Sequence, residues 1–281
     1  MLLRHLVHRF LRSAAEQGLR SAMDSHNQEA QTESVLSEKC DVVVAFALPI
    51  EAGGLVDLTS DITTIRGTNF VERRGTLAEH QISIIETGVG MATAARATAD
   101  VIALRQPEWV ISAGFAGSLR PEIKRGHLLM PNSVIDTDHR TLGINLQFDN
   151  DALHKSPSLH VGRLLTVDHI VRDPKHRIDL ASQYDAMGVD METWAVAETC
   201  RLEKVRFLST RIVSDGADEK LPLQLEKLLD QPTTAARLGA AAGAVFRRPS
   251  IVKEMWQLKK NALLATDRLA RFLTGVIEQL P

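Results

Sequence analysis

Two kinds of hydrophobic pattern alternate from about residue 41 to residue 220. Short apolar runs are typical of buried strands, and the longer segments between them have apolar residues at helical spacing. The predicted strands are 41–48, 81–87, 108–114, 125–136, 162–168, 186–192 and 205–215. The predicted helices are 87–105, 176–184 and a third that follows residue 192 and ends near residue 202. This alternation predicts an α/β fold with a mixed, largely parallel central sheet flanked by helices.

The first 40 residues have a different pattern. Hydrophobic residues from Leu2 to Ala14 share one face of a predicted helix, and arginine and histidine occupy the other face. Residues 25–39 are polar and typical of a linker. A targeting segment, an anchor on a membrane surface and a helix packed on the body all fit this basic amphipathic segment.

After Pro222 the pattern is wholly helical. One apolar stripe at helical spacing contains Ile251, Met255, Leu258, Ala262, Ala265, Leu269, Phe272, Val276 and Leu280. Residues 247–271 carry seven Lys or Arg against two Asp or Glu. We therefore predict a main domain at 41–230 and a helical extension at 231–281, packed on that domain or on a membrane surface.

Composition narrows the classes of function. With 281 residues and 44% hydrophobic residues, the chain can build a sizeable core. A net charge of −2 argues against nucleic acid as a partner. Cys40 and Cys200 have neither metal-ligand spacing nor a disulfide framework, and no apolar run approaches the roughly 18 residues of a membrane span. We expect a cytoplasmic protein, with peripheral contact to a membrane surface left open.

Carboxylates follow several predicted strands. Glu51 lies in the predicted turn after the first strand, Asp190 and Glu192 lie where a strand gives way to a helix, and Asp215 ends the last strand. Taken singly, each fits a helix cap, a solvated turn or a charged helix start. Together they lie at the strand ends where open α/β sheets bind ligands.

Five motifs in order carry a resemblance to a known family. They are ALPIEA (47–52), TGVGMATAA (87–95), SAGFAGSL (112–119), GVDMETWAVA (188–197) and RIVSDGAD (211–218). The chain resembles the nucleoside phosphorylase superfamily, and within it the methylthioadenosine/S-adenosylhomocysteine nucleosidases and their hopanoid-associated relatives. The segment from residue 218 to residue 265 is similar to the hopanoid-associated branch, which implies a substrate with a long apolar group on the ribose.

The resemblance implies a role for each matching residue. Glu51 would activate the attacking water, and Asp215 would protonate the purine at N7. Glu192 would bind the ribose hydroxyls, with Met191 packed under the sugar. The other predicted substrate-binding residues are Gly88, Gly114, Phe115, Ala116, Ile170, Val171 and Ser214. The resemblance also implies a purine nucleoside as ligand, a homodimer, and neither a cofactor nor a metal.

Physical chemistry agrees with these roles. Cleavage of a ribose–purine bond builds positive charge on the sugar and negative charge on the base, so an acid at N7 helps the base to leave. We therefore expect Asp215 to lie in a water-poor pocket. Glu192 should stay ionised, because hydroxyl groups donate to a carboxylate. We interpret Glu192 as the acid that faces the ligand and Asp190 as a structural acid.

Two departures from the family pattern bear on the reaction. Superfamily phosphorylases carry a phosphate-binding arginine just before the glycine of the SAG motif, where this chain has Ser112 and Ala113. Phosphate would lose its bidentate clamp, which favours hydrolysis. Phe115 replaces a small hydroxyl residue and suggests a more apolar pocket. The sequence predicts a nucleosidase that releases adenine from a 5′-substituted adenosine, with a phosphorylase of the same fold and a non-catalytic nucleoside-binding protein as alternatives.

Overall fold

A computed structural model describes residues 38–145, 156–221 and 250–281, with side chains of the last segment described from residue 262 onward. The chain divides into two compact units, Met1–Lys39 and Cys40–Pro281. The predicted basic helix and most of the polar linker lie outside the described residues, as do residues 222–249 of the predicted helical segment.

A ten-stranded mixed sheet forms the centre of the second unit. Its strands are β1 (Val42–Phe46), β2 (Ser60–Arg66), β3 (Val71–Leu77), β4 (His80–Glu86), β5 (Trp109–Ser118), β6 (Leu128–Ile135), β7 (Thr141–Gly143), β8 (Leu159–Thr166), β9 (Gly188–Asp190) and β10 (Arg206–Asp215). The helices are α1 (Pro49–Leu58), α2 (Met91–Arg105), α3 (Pro174–Tyr184), α4 (Thr193–Glu203) and α5 (Ser250–Ile277).

The strand order is β10-β6-β8-β9-β5-β1-β4-β3-β2, with β7 beside β6. An additional pairing joins β10 to β5, so β5, β10, β6, β8 and β9 form a closed circuit of pairings. Among the described pairings, five are parallel and five are antiparallel. The parallel pairings β4–β1–β5–β10 align the carboxyl end of β1, which precedes Glu51, with that of β10, which ends at Asp215. Strand β9, which precedes Glu192, pairs antiparallel with β5 and parallel with β8.

In the main hydrophobic core, the sheet packs against two helices, α1 and α5. The pattern of predicted strands did not indicate where these helices would lie. The core includes Leu55 of α1 and Leu269, Leu273 and Ile277 of α5, none of them measurably exposed. The two helices approach closely at Gly54, where a Cβ atom would lie 2.8 Å from the carbonyl oxygen of Thr266. The second half of α5 therefore packs on the domain and contributes to its core, while the boundary at residue 231 stays a prediction.

The structure differs from the predicted secondary structure in three ways. Glu51 lies in the first turn of α1, since Pro49 at the start of the helix suits a first turn. The segment that follows Gly114, predicted as a turn, continues β5 as far as Ser118. Strands β2, β3 and β7 were not predicted; β2 is almost entirely exposed and has no alternating apolar pattern. None of the described helices has the length and hydrophobicity of a transmembrane span.

Candidate active site

A cavity of about 610 Å³ lies at the carboxyl ends of β1, β5, β8, β9 and β10. Nine of the predicted site residues line it, namely Glu51, Phe115, Ala116, Ile170, Val171, Met191, Glu192, Ser214 and Asp215. Gly88 and Gly114, predicted to bind substrate, do not line the cavity. The volume falls within the roughly 300–1,000 Å³ that is usual for small-molecule sites.

The first turn of α1 and the middle of β5 position Glu51. The backbone N–H of Leu48 donates to Glu51 Oε2, and the backbone N–H of Phe115 donates to Glu51 Oε1, each at 2.8 Å. Burial raises the pKa of Glu51, while the Phe115 N–H and the charge of Arg211 oppose that increase. Each carboxylate oxygen keeps a lone pair for a further donor. The side chain is therefore fixed, and it remains able to accept a proton from a ligand or water.

Gly114 does not line the cavity, but it lies against two side chains that form the site. Its φ of +145° is one that residues with side chains rarely adopt, and a Cβ atom there would lie 2.6 Å from both Glu51 Oε1 and Arg211 Nη1. The absence of a side chain thus lets the Glu51 carboxylate and the Arg211 guanidinium approach the backbone of β5. The predicted contact of Gly114 with substrate stays a prediction.

The loop before α2 positions Glu192. Gly88 and Gly90 have φ values of +80° and +97°, and the N–H of Gly90 donates to Glu192 Oε1 at 2.8 Å. Val89, between the two glycines, lines the cavity. Gly88 therefore shapes the turn, and its predicted role in substrate binding stays a prediction.

The pKa of Glu192 is higher than expected for a carboxylate that was predicted to stay ionised. Burial and, next, repulsion from Asp190 raise its pKa to about 8, although the Arg211 charge and the Gly90 N–H act in the opposite direction. The predicted ionised state therefore needs additional donors near neutral pH. Two hydroxyl groups donating to the carboxylate would supply that stabilisation.

Asp190 has many more partners than Glu192. Its Oδ1 accepts from the Thr166 hydroxyl at 2.7 Å, and its Oδ2 accepts from the Thr193 N–H at 2.9 Å and from the Thr193 hydroxyl. The Arg211 guanidinium lies 2.8 Å from the same oxygen in an ion pair that is 1% exposed on both sides. Asp190 thus caps the start of α4 and neutralises a buried arginine, which is consistent with the predicted division between the two acids.

Arg211 is a functional residue that the sequence analysis missed. Besides Asp190, its Nη2 donates to the hydroxyls of Ser112 and Thr193, both at 2.7 Å. The sequence did contain evidence for this residue, because Arg211 begins the RIVSDGAD motif and lies four residues before Asp215. Ser112, which stands where phosphorylases carry an arginine, here accepts a hydrogen bond from an arginine of another strand.

Asp215 ends β10 at the opposite side of the cavity and is 7% exposed. The Ser214 hydroxyl donates to its Oδ1 atom, and the Arg177 guanidinium forms an ion pair with Oδ2. Arg177 itself is 1% exposed and lines the cavity. Sequence analysis missed it, since an arginine in the first turns of a helix is usually solvated and nothing in HRIDLASQY marks it as buried.

Helix α5 supplies a further wall that was not predicted. Ala262, Leu264, Ala265 and Arg268 line the cavity, opposite apolar residues of other elements. His169 also lines it, with its Nδ1 atom 2.7 Å from Asp168 Oδ1. The cavity therefore combines an apolar wall with carboxylates at separate strand ends, an arrangement suited to proton transfer at two positions of one bound molecule.

Comparisons with known proteins identify the family of the chain. The sequence profile described as "Phosphorylase superfamily" matches residues 41–247. The 5′-methylthioadenosine/S-adenosylhomocysteine nucleosidase of Staphylococcus haemolyticus is 27% identical over 206 residues, which cover 66% of this chain and 90% of the relative. That of Haemophilus influenzae strain 86-028NP is 26% identical, covering 68% of this chain and 91% of the relative.

Solved structures are similar in fold. S-adenosylhomocysteine nucleosidase from Streptococcus pyogenes in complex with 5-methylthiotubericidin matches with a TM-score of 0.68 at 16% identity, covering 86% of this chain and 98% of that one. The Neisseria meningitidis 5′-methylthioadenosine/S-adenosylhomocysteine nucleosidase with methylthio-immucillin-A has a TM-score of 0.65 at 18% identity, covering 87% and 100%. The predicted family and fold class are confirmed. This chain belongs to the phosphorylase superfamily.

Proposed function

We propose that this protein is a purine nucleoside N-ribosyl hydrolase that releases adenine from a 5′-substituted adenosine. The observation that carries the proposal is the convergence of three buried carboxylates, Glu51, Glu192 and Asp215, on one largely apolar cavity. Glycosidic cleavage needs one group to take a proton from water and another to give a proton to the leaving group. The names of the relatives support an adenosine derivative as the substrate class.

Each acid has a distinct part in the proposed reaction. Glu51 takes a proton from the water that attacks C1′, and the raised pKa of this base suits a reaction near neutral pH. Glu192 accepts hydrogen bonds from the ribose hydroxyls. Asp215 gives its proton to N7 of the purine as the bond from C1′ to N9 breaks. Ile170 and Val171 line the end of the cavity that holds the base.

Electrostatics supports hydrolysis over phosphorolysis. Phosphate would have to bind beside Glu51 and Glu192, and both carboxylates oppose an anion. The guanidinium of Arg211 already pairs with Asp190 and donates to two hydroxyls. An arginine committed in this way offers no bidentate clamp to phosphate.

We propose that the 5′ group is large and apolar. Leu48, Ile50 and Phe115 line the cavity together with Ala262 and Leu264 of α5. Leu264 is 61% exposed and its neighbour Leu263 is 48% exposed, so apolar surface continues out of the cavity. Contact of this surface with a membrane would let a substrate with a hydrocarbon body enter directly. The homodimer and the cytoplasmic location stay predictions.

The test is a product analysis with the full-length protein. Adenosine, 5′-methylthioadenosine, S-adenosylhomocysteine and a series of 5′-alkyl adenosines of increasing chain length are incubated with and without phosphate. We expect adenine and a free sugar, a rate independent of phosphate, and a preference for the longer alkyl groups. A sugar 1-phosphate would identify a phosphorylase, and tight binding without adenine release would identify a non-catalytic binding protein. Either result would reject the proposed function.

A further inference from the structure

The guanidinium of Arg177 joins three segments at the base end of the cavity. Its Nε and Nη2 atoms donate to the carbonyl oxygen of Val171 at 3.1 and 2.8 Å. Its Nη1 atom donates to the carbonyl oxygens of Gly216 at 2.8 Å and Ser118 at 3.4 Å. These carbonyls belong to the loop after β8, the loop after β10 and the end of β5. The planar donor groups of an arginine match this set, and a lysine ammonium would not.

The same guanidinium lies beside the carboxylate of Asp215. Oδ1 of Asp215 accepts from the Ser214 hydroxyl, whereas Oδ2 is in ion-pair contact with Arg177 without an aligned hydrogen bond from any described residue. Gly117 makes room for this contact, because a Cβ atom there would lie 3.0 Å from Asp215 Oδ2 and 3.4 Å from Arg177 Nη1. Oδ2 is therefore a buried polar atom at the cavity, and a proton carried by this carboxyl group can be given to an acceptor atom of a ligand.

We propose that Arg177 is a positioning residue for proton transfer from Asp215 to the leaving base. This inference rests on the proposed function and adds a residue to it. As water attacks C1′ and gives a proton to Glu51, the bond from C1′ to N9 breaks and its electron pair passes to the purine. The proton of the Asp215 carboxylic acid moves to N7, leaving a neutral base and a carboxylate. Arg177 holds that carboxylate in place and stabilises its negative charge as it forms.

A purely structural role for Arg177 makes a different prediction. If the arginine only tied the three loops together, its loss would impair every substrate to a similar extent. If it acts through Asp215, its loss matters only where the leaving group needs a proton. Two ribosides with the same 5′ group separate these cases: the adenine nucleoside, and a 4-nitrophenyl riboside whose leaving group departs as a phenolate.

The experiment compares wild type, Arg177→Met and Arg177→Lys on both ribosides. For the adenine nucleoside we expect kcat of Arg177→Met to fall at least about tenfold, which is part of the roughly 10²–10⁴-fold contribution of general acid catalysis. We expect Arg177→Lys to be intermediate, because it keeps the charge but not the planar donors. For the nitrophenyl riboside both variants should stay within about threefold of wild type. An equal loss on the two ribosides would reject the proposal.

A double-mutant cycle covers the case in which Arg177→Met does not fold or wild type does not accept the nitrophenyl riboside. On the adenine nucleoside, Asp215→Asn and Asp215→Asn combined with Arg177→Lys should have the same kcat, since the arginine has no acid left to assist. Losses that multiply would overturn the inference. Wild type that releases no adenine would instead reject the proposed function itself, and that outcome is visible before any variant is made.

Discussion

Arg211 Nη2 lies 2.8 Å from Asp190 Oδ2, and both side chains are almost fully buried. Glu192, two residues further on, lines the same cavity but accepts a single hydrogen bond from the described protein, from the N–H of Gly90. One acid of the pair is thus committed to the fold, and the other remains for a ligand.

Substitutions at the two acids should therefore have opposite effects. Asp190→Ala leaves the Arg211 charge buried and unpaired, which should lower the free energy of unfolding by about 3–5 kcal/mol. Glu192→Gln keeps the size of the side chain and an acceptor for Gly90, so it should not destabilise the fold, while KM for the nucleoside rises at least about tenfold. Urea denaturation and steady-state kinetics measure the two effects. An unchanged KM in Glu192→Gln would contradict the ribose contact.

The raised pKa of Glu192 predicts a pH dependence of stability. Its pKa is about 8 in the folded protein against an ordinary value of 4.5, so the folded state holds the proton more tightly than the unfolded chain does. The contribution of Glu192 to stability is therefore complete below about pH 4.5 and is lost as the pH rises through about 8. The free energy of unfolding of wild type, relative to Glu192→Gln, should fall over this range. Parallel curves for the two proteins from pH 5 to pH 9 would contradict the assignment.

A methyl group at Gly114 should displace the proposed base. In Gly114→Ala the Cβ atom would meet Glu51 Oε1 and Arg211 Nη1 at 2.6 Å, and the φ of +145° would be strained. We expect kcat to fall about 10²-fold, the cost of misplacing a reacting group by about 1 Å, with a lower melting temperature. Gly143→Ala is the matched control, because nothing lies within 4 Å of a Cβ atom there. Wild-type kcat in Gly114→Ala would show that Glu51 does not act from its observed position.

Two adjacent glycines of α1 test the contact with α5. A Cβ atom at Gly54 would lie 2.8 Å from the Thr266 carbonyl oxygen and 3.2 Å from the Cβ of Ala270, whereas nothing lies within 4 Å at Gly53. Gly54→Ala should push α5 away and destabilise the protein by about 1–3 kcal/mol. Gly53→Ala should be neutral or stabilise it by up to about 1 kcal/mol, because alanine favours a helix. Equal melting temperatures for the two variants would show that the helices are not in close contact.

The exposed leucines of α5 should mediate binding to membranes. Leu264 lines the cavity and is exposed, and its neighbour Leu263 is also exposed. Leu263→Glu and Leu264→Glu together should therefore abolish co-sedimentation of the full-length protein with anionic liposomes at low salt. Leu202→Glu is the control, since Leu202 is 63% exposed on α4. Wild type that does not pellet would reject membrane contact, and a protein starting at Asp41 that no longer pellets would assign the contact to the first 40 residues.

Site residues at strand ends were easier to predict from the sequence than side-chain contacts between distant segments. Glu51 and Asp215 lie in local motifs at the ends of β1 and β10, and parallel pairing with β5 brings such motifs to one edge of a sheet, so their common cavity was predictable. Glu192 reaches the same cavity from β9, which pairs antiparallel with β5, and that pairing was not predicted. Arg177 was not, because its partners are carbonyl oxygens of three distant segments and no local pattern encodes them. The support that Gly114 gives to Glu51 was not predictable either, because an isolated glycine indicates that a side chain is excluded, but the neighbours that exclude it are known only from the fold.

Ala262 and Leu264 face the cavity from the same helix whose Leu269, Leu273 and Ile277 fill the main core. Less than two helical turns separate these cavity-lining residues from those that hold the domain together. Within α5, mutations that adapt the cavity to a different 5′ group should therefore be tolerated only toward the start of the part whose side chains are described. Limited proteolysis should reveal the same link, since a ligand seated against Leu264 would protect the whole helix from cleavage.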